Sequence, residues 1–157
     1  MVQKALTVPL DDMARMTAKV EKSHDPGVQW RGVCEHIHAY QLVEMLLPVC
    51  KEHGFELSLD LNLDDEDGDD ITTIACASDI IDEMNQCDEE WLLVHKPGEP
   101  SENVFHVYMV YGNCADDPEV GRGEMMADWG GLEQWYKVFS PIVDDFVNEV
   151  YINKPQA

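Results

Sequence analysis

The chain has 157 residues, 45% of them hydrophobic, with 32 acidic and 10 basic side chains and a formal net charge of −22. That length suits one domain with a sizeable core, and the apolar share excludes a disordered acidic tail. No apolar run approaches the ~20 residues that span a bilayer, the first residues lack a signal-peptide core, and anionic membranes would repel the chain; the expectation is a cytoplasmic protein without membrane contact.

In chain order, Leu10, Met13, Met16 or Thr17, and Val20 recur at helical spacing, which predicts a helix from Pro9 to Ser23 with Asp11 and Asp12 at its positive end. His24-Asp25-Pro26-Gly27 should end it, leaving Val28 to Val33 as a connector or short strand. A second helix over Glu35 to His53 places Ile37, Tyr40, Val43, Leu47 and Cys50 on one face, with Gly54 closing it and Pro48 expected to kink or split it.

Phe55 to Asp64 alternates strictly: Phe55, Leu57, Leu59, Leu61 and Leu63 against Glu56, Ser58, Asp60, Asn62 and Asp64. Period two predicts a strand with one face on the core and one in water, which argues for an antiparallel sheet. Asp64 to Asp70 is an acidic loop, and Ile74, Ala77 or Ser78, Ile81 and Met84 predict a helix over Ile71 to Gln86. Trp91 to His95 and Val104 to Tyr111 read as a hairpin joined by the turn-rich Lys96 to Asn103. After the polar loop Gly112 to Gly123, a short helix is expected over Glu124 to Trp129. A longer one, with a stripe from Leu132 through Trp135, Tyr136, Phe139 and Phe146, is expected to Tyr151, interrupted or restarted at Pro141. The order predicts one α+β domain over 1–157, with an antiparallel sheet of at least three strands and helices packed on one face.

The charge is unevenly spread. Residues 1–53 carry seven acids and six bases, whereas residues 54–157 carry twenty-five acids and four bases, Lys96, Arg122, Lys137 and Lys154. A net charge of magnitude about 2–8 suffices to keep a small domain soluble, so the surplus calls for a partner. Four carboxylate clusters are the candidate partner-binding residues: Asp64, Asp65, Glu66, Asp67, Asp69 and Asp70; Asp79, Asp82 and Glu83; Asp88, Glu89 and Glu90; and Asp116, Asp117 and Glu119. All are expected to reach solvent.

Other chemistry is thinly marked. The five cysteines form no CxxC and predict reduced, partly buried thiols. Cys34 with His38, or Cys50 with His53, offers two metal ligands where zinc needs three or four, and the two pairs are ~18 Å apart along a helix. Aligning the acidic loop on a calcium-binding pattern through Gly68 puts Leu63 and Ile74 where the two strongest ligands belong, leaving only weak divalent binding. No phosphate-loop, dinucleotide, hydrolase, kinase or zinc-protease signature is present, so no cofactor is expected. Direct nucleic-acid binding needs bases that residues 54–157 lack.

In size and charge the chain resembles the nucleic-acid mimics of phages and mobile elements that act against host defence proteins, and the acidic immunity proteins of basic toxins. The likeness is one of composition, with no motif behind it. It implies a non-catalytic inhibitor occupying the basic surface of a nucleic-acid-acting protein. Two alternatives stand beside it. One is an adaptor or homo-oligomer subunit with an apolar patch of Trp129, Trp135 and Tyr136; the other is an enzyme using His36, His95 or His106.

Overall fold

A computed structural model describes residues 8–20, 26–61, 71–81, 89–111 and 125–151. Two helices, α1 (Leu10–Val20) and α2 (Pro26–Glu52), precede five strands, β1 (Glu56–Asp60), β2 (Ile71–Ile74), β3 (Glu89–Lys96), β4 (Glu99–Tyr111) and β5 (Met125–Gly131), and helix α3 (Glu133–Asp145) follows. The strands form one antiparallel sheet in the order β2-β1-β3-β4-β5. Helices contact this sheet, the predicted α+β class. No helix among the described residues is long and apolar enough to cross a membrane.

Helix α2 starts earlier than its pattern suggests. Pro26 opens it, a position where the missing N–H costs nothing, so Val28 to Val33 are helical and no connector separates them from Glu35. Pro48 neither ends nor splits the helix; its ring lies on the exposed side, between the buried Leu47 and Cys50. The six consecutive residues His38 to Val43 are all buried, so this stretch is enclosed on every side and not amphipathic. On one flank α1 packs through Met16, and the Tyr40 hydroxyl donates to Asp12 Oδ2 at 2.7 Å. Burial, that hydrogen bond and the Asp12 and Glu44 charges hold the Tyr40 phenol well above its ordinary pKa.

The strand alternation places the core. Leu57 and Leu59 of β1 pair with Val94 and Leu92 of β3, which pair with Phe105 and Val107 of β4. All six are buried and share a core with Leu42, Val43 and Leu46 of α2 and Phe139, Val143 and Phe146 at the C-terminal end. Trp129 of β5 packs against the same core and donates from Nε1 to Ser140 Oγ at 3.0 Å, tying β5 to α3. Pro141 lies within α3, which continues into a π-helical turn from Phe146 to Tyr151.

Three predicted elements are corrected. Ile71 to Ile74 is a strand, not the start of a helix: Ile-Thr-Thr-Ile is an unbroken β-branched run, and the 3₁₀ turn Ala77–Ile80 follows it; the rest of the predicted helix, 82–86, lies outside the described residues. Met125 to Gly131 is a strand where a short helix was expected, held by its ladder to β4. The hairpin loop is two residues long, Pro97 and Gly98, with Gly98 at φ 74°, as a type II turn requires. The polar Pro100 to Asn103 therefore belongs to β4, and the register shift around His95 absorbs it.

Gly131 of β5 packs directly against the β4 backbone. A Cβ there would lie 2.5 Å from the Val104 carbonyl oxygen and 2.9 Å from Phe105 Cα, and the same carbonyl accepts Leu132 N at 2.9 Å. At Gly130 a Cβ would meet only the His106 ring, at 3.4 Å. Gly131→Ala is therefore expected to destabilise by about 1–3 kcal/mol through overpacking, and Gly130→Ala by clearly less. Urea unfolding of the two variants measures the contrast; equal effects would contradict this pairing.

Candidate functional site

Strand direction sorts the connections between the two ends of the sheet. β1 finishes at Asp60, β2 starts at Ile71, β3 starts at Glu89, β4 finishes at Tyr111 and β5 starts at Met125. In an antiparallel order these five termini lie at one end. The connections 61–70 and 112–124 leave and return there, and 82–88 delivers the chain to it. Together they hold thirteen acids and one base, Arg122. The one Lys or Arg on the described strands, Lys96, is at the opposite end, beside the Pro97-Gly98 turn, where it pairs with Glu102 at 3.3 Å.

Two cross-strand rows on the outer face of the sheet, opposite the α2 core, span all five strands. Toward the acidic end, Ile71, Asp60, Trp91, Tyr108 and Asp128 stand in register. The Trp91 and Tyr108 rings are 4.3 Å apart between centroids, and Trp91 and His106 are 5.6 Å apart. All three rings are partly exposed, as is Asp60, and Asp128 is exposed.

The next row runs Thr73, Ser58, Leu93, His106 and Gly130. Beside it His95 Nε2 and Ser58 Oγ are 2.7 Å apart, and His95 Nδ1 is 2.7 Å from the Lys96 carbonyl oxygen. A carbonyl only accepts, so Nδ1 carries a proton, and in the neutral ring Nε2 accepts from the Ser58 hydroxyl. A nucleophile, a base and an orienting group are thus in sequence. Yet Ser58 is 0% exposed and His95 1%, so no substrate atom reaches Oγ in this conformation. The dyad satisfies two buried polar groups across β1 and β3.

The predicted partner-binding acids fall into three groups. Asp64, Asp65, Glu66, Asp67, Asp69, Asp70, Asp82, Glu83, Asp88, Asp116, Asp117 and Glu119 lie outside the described residues. Glu89 opens β3 at the acidic end. Glu90 departs from the expected exposure, whereas Asp79 is partly exposed. Glu90 is 0% exposed, because it falls on the inner face opposite Met109, and it contributes nothing to an exposed surface. Asp79 accepts the Ala75 and Cys76 amides at 2.8 and 3.1 Å, closing the turn after β2. Burial alone would raise its carboxyl, but those two amides, the Cys76 thiol and the Arg15 charge more than offset it and hold it below its ordinary value.

The other candidates are mostly used in packing. Trp135 stacks edge-on against Phe55 at 4.6 Å and His53 at 5.4 Å. Trp129, like Trp135, is partly buried against the core, and of the expected aromatic patch Tyr136 is the exposed member. His38 is buried within α2. Cys50 is buried and its thiol is pushed up to about 12, whereas Cys76 is exposed; both are free thiols. The side chains of Cys34 and His36 are not among those described. No group of three or more described His, Cys, Asp or Glu side chains comes together as metal ligands. The aromatic row was missed in the sequence because Trp91 and Tyr108 acquire a common face only through the β3–β4 register.

Asp79→Ala should cost about 1 kcal/mol at pH 7, for two charge-assisted hydrogen bonds in a partly exposed turn. A carboxyl depressed in the folded state contributes fully above its unfolded pKa, ~4, and loses that contribution as pH falls through the folded value. Urea unfolding of wild type and variant should therefore differ at pH 7 and converge at lower pH; a gap that persists in acid would contradict the charge-assisted role.

No protein-family model, curated protein or solved structure matches the chain.

Proposed function

We propose that this protein is a non-catalytic, acidic binding protein that occupies the basic surface of a nucleic-acid-acting protein, in the manner of a nucleic-acid mimic or an immunity protein. One observation carries the reading: the acidic connections 61–70, 82–88 and 112–124 all meet one end of a single sheet. Duplex DNA presents one negative charge per ~1.7 Å of axis, and proteins that hold it line their channels with Lys and Arg. A surface dense in carboxylates on a folded scaffold competes for the same channel, and long-range attraction speeds its approach.

The reading also accounts for what the rest of the molecule does with its charge. Residues 1–53 are almost neutral and supply α1 and α2, which complete the core. The acidic connections join strand termini at the end of the sheet opposite to the one where α2 and α3 attach. Of the apolar patch in the adaptor alternative, Trp129 and Trp135 are partly buried against the core and Tyr136 is exposed.

The test is a variant with Asp64, Asp65, Asp67 and Asp69 all replaced by Asn, compared with wild type in capture from host lysate at 0.05 and 0.5 M salt. The expected outcome is a basic nucleic-acid-binding protein retained by wild type at low salt only, retained less by the variant, with unchanged thermal stability. A partner held equally at both salts and by both proteins would mean that apolar burial, which salt does not screen, drives the contact.

A further inference from the structure

We propose that the outer-face row Asp60, Trp91, Tyr108 and Asp128 is an arginine-docking site, where an arginine of the basic partner stacks on the paired rings and bonds a flanking carboxylate. The inference deepens the preceding reading and rests on it.

Three observations converge on this row. First, its two aromatics pack as one cluster: the Trp91 and Tyr108 centroids are 4.3 Å apart with planes inclined at 40°, and His106 adds a third ring at 5.6 Å from Trp91. The rings are only partly covered, on the sheet face that does not carry the core. Secondly, the row is bounded by carboxylates. Asp60 pairs with Trp91 and Asp128 with Tyr108, each one strand away, ~5 Å. A guanidinium lying flat on a ring face thus has an acceptor within reach of its edge. Thirdly, among the described strands the one Lys or Arg, Lys96, is at the far end from the row, and the row adjoins the end that receives the acidic connections.

The chemistry selects arginine over lysine. A guanidinium is planar and weakly hydrated, stacks on aromatic faces and offers a fork of donors to a carboxylate, whereas an ammonium is a compact, strongly hydrated point charge. The acidic connections would attract any polycation; the aromatic row adds a preference for one cation by geometry. A contact of this kind loses part of its surroundings to the partner and resists salt better than a rim charge does.

The probes are nona-arginine and nona-lysine peptides, titrated into the full chain in 20 mM and 150 mM salt. Affinity is read by calorimetry, and the Trp91 indole N–H by nuclear magnetic resonance. Wild type should bind nona-arginine more tightly than nona-lysine, with the Trp91 resonance shifting. Trp91→Leu should weaken nona-arginine binding about three- to five-fold and abolish the preference, leaving nona-lysine binding unchanged. Asp128→Asn, at an exposed position, should weaken both. Nona-arginine binding that leaves the Trp91 resonance unmoved, or equal affinity for the two peptides, would overturn the docking site while leaving the acidic surface intact. Absence of binding by either peptide would overturn both. The wild-type resonance decides the matter if Trp91→Leu fails to fold.

Discussion

The structure depends on a sheet covered by helices on one face. Because side chains alternate along a strand, covering one face with α2 and α3 commits Leu57, Leu59, Leu92, Val94, Phe105 and Val107 to the core. The intervening Ser58, Asp60, Trp91, Leu93, His106 and Tyr108 are committed to the other side. Register then decides which of these meet. The buried Ser58–His95 hydrogen bond and the Trp91–Tyr108 contact both join residues on adjacent strands, and a one-residue slip would send each of them into the core.

Antiparallel order adds a second consequence, the separation of charge. Short turns and helix attachments take one end of the sheet, and the acidic connections take the other. Among the described residues of this chain of net charge −22, Glu90 is the buried carboxylate, on the inner face next to the acidic end. Asp79 is a different case: its charge is spent on closing a turn. Counting acids along the sequence therefore overstates the exposed acidic surface, since position in the sheet places Glu90 inside.

Much of this was legible in the sequence where physical signals are local. The period-two run around Leu57 and Leu59, the hairpin about Pro97 and Gly98, α1 and the stripe of α3 follow from spacing and turn chemistry. What escaped was non-local. Met-Met-Ala-Asp-Trp-Gly-Gly has no strand propensity to speak of and becomes β5 through its ladder to β4 and the close approach at Gly131. Ile71 and Ile74 fit a helical spacing and a strand alike, and the two threonines between them decided for the strand. The clusters of acids were visible, but their common end was not, since it follows from strand order. The outer-face row was invisible for the same reason.

The most direct measurement uses the captured basic partner bound to a fluorescently labelled DNA duplex, with this protein titrated in and anisotropy followed. A mimic that enters the nucleic-acid channel predicts a fall to the value of free duplex as the protein approaches stoichiometry, the two ligands excluding one another. A rise in anisotropy, reporting a ternary complex of partner, duplex and protein, would contradict the central claim and place the acidic surface elsewhere on the partner.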